Sequence, residues 1–148
     1  KIALVSILTA LSVALGYVVK IPTATGILTF LDAGIFFTAF YFGRREGAIV
    51  GGLGGFLIDL ISGYPHWMIF SLIFHGSQGY FAGFKGKWQW LGLVLASLVM
   101  VAGYAFATAW MKGWGQALAD VPHNLVQNFV GMLVGFLLCQ SISKIRKQ

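Results

Sequence analysis

Long apolar runs separated by short polar or charged breaks set the plan of this chain. Residues 3–19 are apolar apart from Ser6, Thr9 and Ser12, and the run is long enough to approach a membrane-spanning helix. From Lys20 to Leu31 the pattern breaks at Pro22, Gly26 and three threonines, which predicts an ordered, half-apolar loop. Such a loop either covers a cavity, with Phe30 as its lid residue, or is a plain interfacial connection. The apolar run at 32–42 is too short to cross about 30 Å of hydrocarbon at about 1.5 Å per residue. Either its helix begins inside the loop, near residue 28, or the loop dips inward.

After the charged turn Gly43-Arg44-Arg45-Glu46, the third run holds five glycines in nine residues, Gly47, Gly51, Gly52, Gly54 and Gly55. They would weaken a helix in water, but in a membrane they permit close backbone contact, expected here against the first two spans. A fourth run, 67–84, closes at Lys85-Gly86-Lys87, and a fifth, 91–111, ends at Lys112. Gly113–Val121 reads as a loop, and Pro122 suits the first turn of a sixth helix, with Asp120 capping or flanking its start. The prediction is an all-α, single-domain membrane bundle over 1-148, with six transmembrane helices near 3-19, 28-43, 46-62, 67-84, 91-111 and 122-143.

Composition strengthens the membrane reading. The 148 residues are 58% hydrophobic and only 9% charged, where soluble domains average about 25% charged. The net charge of +6 collects at helix ends, so it reports topology rather than nucleic-acid binding. With six spans, Lys1, Arg44, Arg45, Lys85, Lys87, Lys144, Arg146 and Lys147 face one side, and only Lys20 and Lys112 face the other. This bias puts both termini in the cytoplasm. The lone Cys139 allows no internal disulfide and reads as a small apolar helix residue. The chain starts at Lys1 rather than Met, as if a short piece preceded it, and residues 3–19 read as a retained span rather than a cleaved signal.

On that topology the uncommon polar residues gather in an outer layer. Asp59 ends the third helix, where it pairs with a histidine, caps a helix end or meets a ligand. On the fourth helix His75 and Gln78 share a face, with Ser71 one turn above, and His75 lies about 12 Å below Trp67 at helical rise. On the sixth, His123, Asn124, Gln127 and Asn128 fall within an arc of roughly 140°, continued by Gly131 and Gly135. They form either interhelical hydrogen bonds or the polar wall of a cavity above a close-packed floor. Tyr64 and Trp67, like Trp110 and Trp114, suit interfacial anchoring as well as ligand contact. Aromatic faces beside amides and imidazoles fit a flat heteroaromatic ligand, held on its face by stacking and read along its edge.

Other chemistries lack their residues. No phosphate-binding Gly-x-x-x-x-Gly-Lys-Ser/Thr loop is present, since Gly86-Lys87 runs into Trp88, so the chain itself does not hydrolyse ATP. The three histidines lack helical metal-ligand spacing, and no nucleophile–base pair is evident. The remaining readings are a small-molecule binder that depends on partners, a self-sufficient permease or channel, and a ligand-free membrane scaffold.

The chain resembles the substrate-binding S component of an energy-coupling factor (ECF) vitamin transporter over essentially its whole length. The resemblance rests on six short helices, Ala10-Leu-Ser-Val-Ala14 in the first, Asp32 in the second after a long loop, the glycine-rich third ending at Asp59, and His75-Gly-Ser-Gln-Gly79. It implies a multi-pass protein of the prokaryotic plasma membrane that binds a vitamin or precursor in its outer half, under the first loop. The binding side chains would then come from Phe30, Asp59, Tyr64, Trp67, His75, Gln78 and the polar arc of the sixth helix. It further implies a transmembrane coupling (T) component docked on the Ala10/Ala14 face, and two cytosolic ATP-binding subunits that hold the ATP and Mg. This chain itself then needs no cofactor, and it topples in the membrane to deliver its ligand. The similarity is greatest to the hydroxymethylpyrimidine and pyridoxine-type subfamily. The lack of outer arginines argues against an anionic ligand, while Asp59 or Asp32 leaves thiamine open.

Overall fold

The computed structural model describes residues 1–147; Gln148, the last residue of the expected domain, lies outside them. Among the described residues there are six α-helices: α1 (Ile2–Val18), α2 (Leu31–Tyr41), α3 (Arg44–Ser62), α4 (Met68–Ala82), α5 (Gln89–Lys112) and α6 (Trp114–Ile145). Two elements depart from the sequence reading.

The first is the loop after α1. It folds into an antiparallel hairpin of β1 (Lys20–Pro22) and β2 (Ile27–Thr29), with Ile21 opposite Leu28. The turn is closed by Thr23, whose N–H donates to Gly26 O at 2.8 Å while its hydroxyl accepts from Gly26 N–H at 3.1 Å. Pro22 sits on this two-stranded ribbon, where a missing N–H is tolerated at the edge. The hairpin dips inward, with Thr29 buried, and α2 accordingly starts only at Leu31.

The second is α6. The expected Gly113–Val121 loop is helical from Trp114 onward, and Pro122 lies inside the helix rather than in its first turn. Pro122 supplies no N–H to the preceding turn, a defect that helices buried among others or in lipid accommodate. Gly113, at φ 91°, is the entire connection between α5 and α6; a left-handed residue turns the chain there without a loop.

The short α2 is the centre of the bundle. Leu31, Ala33, Ile35, Phe36 and Ala39 are fully buried, and α2 packs against α1, α3, α4 and α6. Gly131 and Gly135 of α6 lie against Asp32 and Phe36, with no room for a Cβ. The glycine row of α3 packs against α4 as well as the expected second span, where Gly47 meets Ala39 and Gly51 meets Ile35. A Cβ on Gly47 would fall 2.6 Å from Gly79 O, one on Gly55 would fall 2.8 Å from Ser71 O, and one on Gly51 would strike His75 O. Gly54 turns toward Leu31 of α2 and Val13 of α1. These contacts hold the Ser71–His75 face of α4 tightly against the end of α3 that carries Asp59.

The outer surface is apolar. Ile7, Leu11, Leu98, Phe106, Leu133 and Phe136 are all exposed, as suits a lipid-facing surface. The Gly86–Lys112 segment and α6 are each long and apolar enough to cross a membrane. On α1, Thr9, Ser12 and Gly16 are buried, while Ser6, Ala10 and Ala14 form an exposed row of small residues.

Candidate functional site

A cavity of about 50 Å³ lies under the hairpin, among the ends of α3, α4, α5 and α6. Its roof is the hairpin segment Thr23–Thr29. Its walls are Asp59 from α3, Trp67, Ser71 and His75 around α4, Met100, Tyr104 and Thr108 from α5, and Asp120, His123, Asn124 and Gln127 from α6.

The roof is tied down at its tip and at its base. At the tip, the Thr25 hydroxyl donates to Asp120 Oδ2, and Thr25 O accepts from Trp67 Nε1 at 2.7 Å. Gln116 Nε2 donates to the other oxygen of Asp120 at 3.1 Å. At the base, Thr29 N–H donates to Gln127 Oε1 at 2.9 Å, and the Thr29 hydroxyl donates to Gly16 O at 2.8 Å. The Thr25 and Thr29 bonds cross from the hairpin to α1, α6 and the N-cap of α4, which together seat the roof.

Beneath the cavity runs a buried polar network. Asp32 stands in the first turn of α2, where the helix N-terminus favours negative charge. Its Oδ1 accepts from Gln127 Nε2 at 2.9 Å and its Oδ2 from Gln78 Nε2 at 2.8 Å. Gln78 Nε2 also donates to Asn128 Oδ1 at 2.9 Å, and Asn128 Nδ2 donates to Ser97 Oγ at 2.8 Å. Gln78 Oε1 lies 2.9 Å from His75 Nδ1, which is also 3.7 Å from Asp32 Oδ1. A carboxylate so deep is tolerable only with such partners, and among the described residues every fully buried side-chain polar atom is satisfied.

A second cluster forms one wall. The Ser71 hydroxyl bonds to Asp59 Oδ2, and Tyr104 Oη bonds to Ser71 Oγ. The Tyr104 ring lies 5.5 Å from Trp67, 5.0 Å from Phe74 and 5.8 Å from His75, centroid to centroid. These rings make an aromatic corner beside the Asp59 carboxylate.

Of the residues singled out from the sequence, Asp59, Trp67, His75, His123, Asn124 and Gln127 line the cavity. Gln78 and Asn128 lie below it, fully buried in the network. Phe30 and Tyr64 stand outside its lining. Phe30 is the N-cap of α2, with its N–H on Val19 O, and Tyr64 belongs to the turn after α3. The roof is thus made by Thr25 and its neighbours rather than by Phe30. Sequence reasoning passed over Tyr104, Thr108, Met100 and the latch Thr25–Asp120. On α5 a signal was present: Ser97, Met100, Tyr104 and Thr108 recur at three- and four-residue spacing on one face of an otherwise aliphatic helix. Among the described residues no cluster of His, Cys, Asp or Glu is arranged to hold a metal ion.

The arrangement matches known proteins at three levels. The family model described as "ECF-type riboflavin transporter, S component" matches residues 1–144. The chain is 45% identical to the thiamine precursor transporter HmpT of Lactococcus lactis subsp. cremoris, over 98% of this chain and 86% of that one. An uncharacterized protein of Pyrococcus woesei is 37% identical over 79% of this chain and 82% of its own length. A solved structure of the S component of a bacterial ECF transporter superposes with a TM-score of 0.75 at 22% identity, covering 97% of this chain and 95% of that one. An all-helical bundle, a roofed cavity between its helix ends and a family match along nearly the full length together place this chain in the family of ECF transporter S components, the membrane-embedded substrate-binding subunits of vitamin importers.

Proposed function

We propose that this S component captures a small, single-ring aminopyrimidine of the thiamine-precursor type from outside the cell. The observation that carries the reading is the lining of the roofed cavity: an aromatic corner at Trp67 and Tyr104 beside Asp59 and His75. The 45% identity to a thiamine precursor transporter supports the same ligand class. Stacking on the aromatic corner would hold the ring face, and Asp59, His75, Asn124 and Gln127 would read its edge, with Gln78, Asn128 and Asp32 as supports from below. His123 sits at the outer rim.

Six segments would span the membrane, the 11-residue α2 doing so only together with the hairpin above it, with both termini in the cytoplasm as the basic residues indicate and the hairpin outward. The protein would reside in a prokaryotic plasma membrane. The exposed Ala10/Ala14 row offers a close-packing face for the transmembrane coupling component. Two cytosolic ATP-binding subunits would supply ATP and Mg chemistry, this chain needing no cofactor, and toppling in the bilayer would deliver the ligand.

A second reading, riboflavin, follows from the description of the matching family model. Mass spectrometry of the molecule released from detergent-purified protein, followed by titration, separates the two. Release and tight binding of an aminopyrimidine carries the proposal; release of riboflavin, with no pyrimidine binding, overturns it.

A further inference from the structure

We infer that the floor of this site has a fixed hydrogen-bond polarity: it accepts and does not donate, and so selects ligands whose buried edge carries donors, an exocyclic amine above all. The inference rests on the pyrimidine reading above and sharpens it from a ring class to a donor pattern.

The polarity is set by a backbone group. Thr29 N–H is a donor whatever the side chains do, so Gln127 must present Oε1 to it and Nε2 to Asp32. The Asp32 carboxylate, acceptor-only, then obliges Gln78 to present Nε2. Both hydrogens of that amide are used, on Asp32 and Asn128, and the opposite atom, Oε1, faces His75 Nδ1. An amide oxygen accepts only, so the His75 proton resides on Nδ1. With that single proton on the ring, Nε2 is a lone pair. It has no partner among the described residues, and the ring lines the cavity.

The neighbouring wall has the same sign. The single Ser71 proton is directed to Asp59 Oδ2, so the Tyr104 hydroxyl donates to Ser71. Neither hydroxyl keeps a proton for a ligand, and Asp59 Oδ1 remains as an acceptor. Ser71 and His75 are one helical turn apart on α4, and Gly55 brings both close to α3. The two free acceptors therefore belong to one floor. An amine-bearing pyrimidine supplies donors to both, whereas an oxo group there would oppose lone pair to lone pair.

The test is titration of the purified wild-type protein with hydroxymethylpyrimidine carrying an amino group and with its oxo analogue. The expected result is that the oxo compound binds roughly ten- to a hundredfold more weakly, the effect of one unmatched buried polar group. Equal affinities overturn the polarity while leaving the pyrimidine reading intact. Failure of both to bind overturns that reading, and this inference with it. Nitrogen-15 spectroscopy of labelled histidine, with the His75 signals identified by their loss in His75→Gln, should show a protonated Nδ1 and an unprotonated Nε2. The opposite tautomer, or a ring protonated on both nitrogens, overturns the inference.

Asp32→Asn then acts as a switch. Because Thr29 still fixes Gln127, the new amide nitrogen must face Gln78, which turns over together with Asn128, whose Oδ1 then accepts from the Ser97 hydroxyl, and Gln78 donates to His75 Nδ1. The His75 proton moves to Nε2, and preference should shift toward the oxo analogue. A merely structural role for Asp32 would weaken both ligands alike, with no change of tautomer, and would overturn the relay. If the variant does not fold, the wild-type tautomer and ligand pair still decide.

Discussion

At the level of single residues, the site depends on side chains whose surroundings leave them one free atom each. Asp59 has one oxygen engaged by Ser71 and one open to the cavity. Asp59→Asn keeps the shape but replaces a charged acceptor, and charge-assisted bonds are roughly twice as strong as neutral ones. Affinity for the aminopyrimidine should fall by about an order of magnitude or more in isothermal titration, while Tyr64→Phe, away from the lining, should leave it unchanged. Asp59, His75 and the polar arc of α6 were legible because polar groups are conspicuous in an apolar chain. Tyr104 was not, because a tyrosine inside an aliphatic run counts as apolar until a partner such as Ser71 is seen across from it.

At the level of elements, the hairpin is the part held least by burial and most by named bonds. Thr25→Val removes the bond to Asp120 and leaves that carboxylate short of a partner, at a cost of about 1–3 kcal/mol. The roof should open more often, and stopped-flow measurement of ligand release through Trp67 fluorescence should show a faster off-rate. The α3–α4 seam is different in kind. Gly51→Val would drive a side chain into the α4 backbone at His75, so overpacking of about 1–3 kcal/mol or more should appear as a lower melting temperature in detergent. The glycine spacing announced such a seam, but not its partner: spacing gives the row on one helix and says nothing of which neighbour it meets. The start of α6 was misread for a local reason. Pro122 is at home in a first turn, and only tertiary packing reveals that the helix runs through it.

At the level of the whole molecule, fold and function were readable because composition, charge and helix count pointed the same way. The apolar exterior and the uneven distribution of lysine and arginine describe a membrane bundle without reference to any contact. The inward dip of the hairpin was less accessible. It follows from α2 being only 11 residues long, which leaves a gap above its N-terminus that the sequence could assign equally to helix or loop.

Disparity of helix lengths has a further effect, on the lipid around the protein. Of the helices with exposed apolar faces, α4 spans about 22 Å and α6 about 48 Å at helical rise, against a hydrocarbon layer of about 30 Å. No single tilt matches both to a flat bilayer, so the leaflets must thin at one flank and thicken at another, each ångström of mismatch costing a fraction of a kcal/mol. A protein already in elastic conflict with an upright pose has less to lose by leaning over. In liposomes of graded acyl-chain length, uptake by the assembled transporter should therefore vary with bilayer thickness, while ligand affinity, set inside the bundle, should stay level.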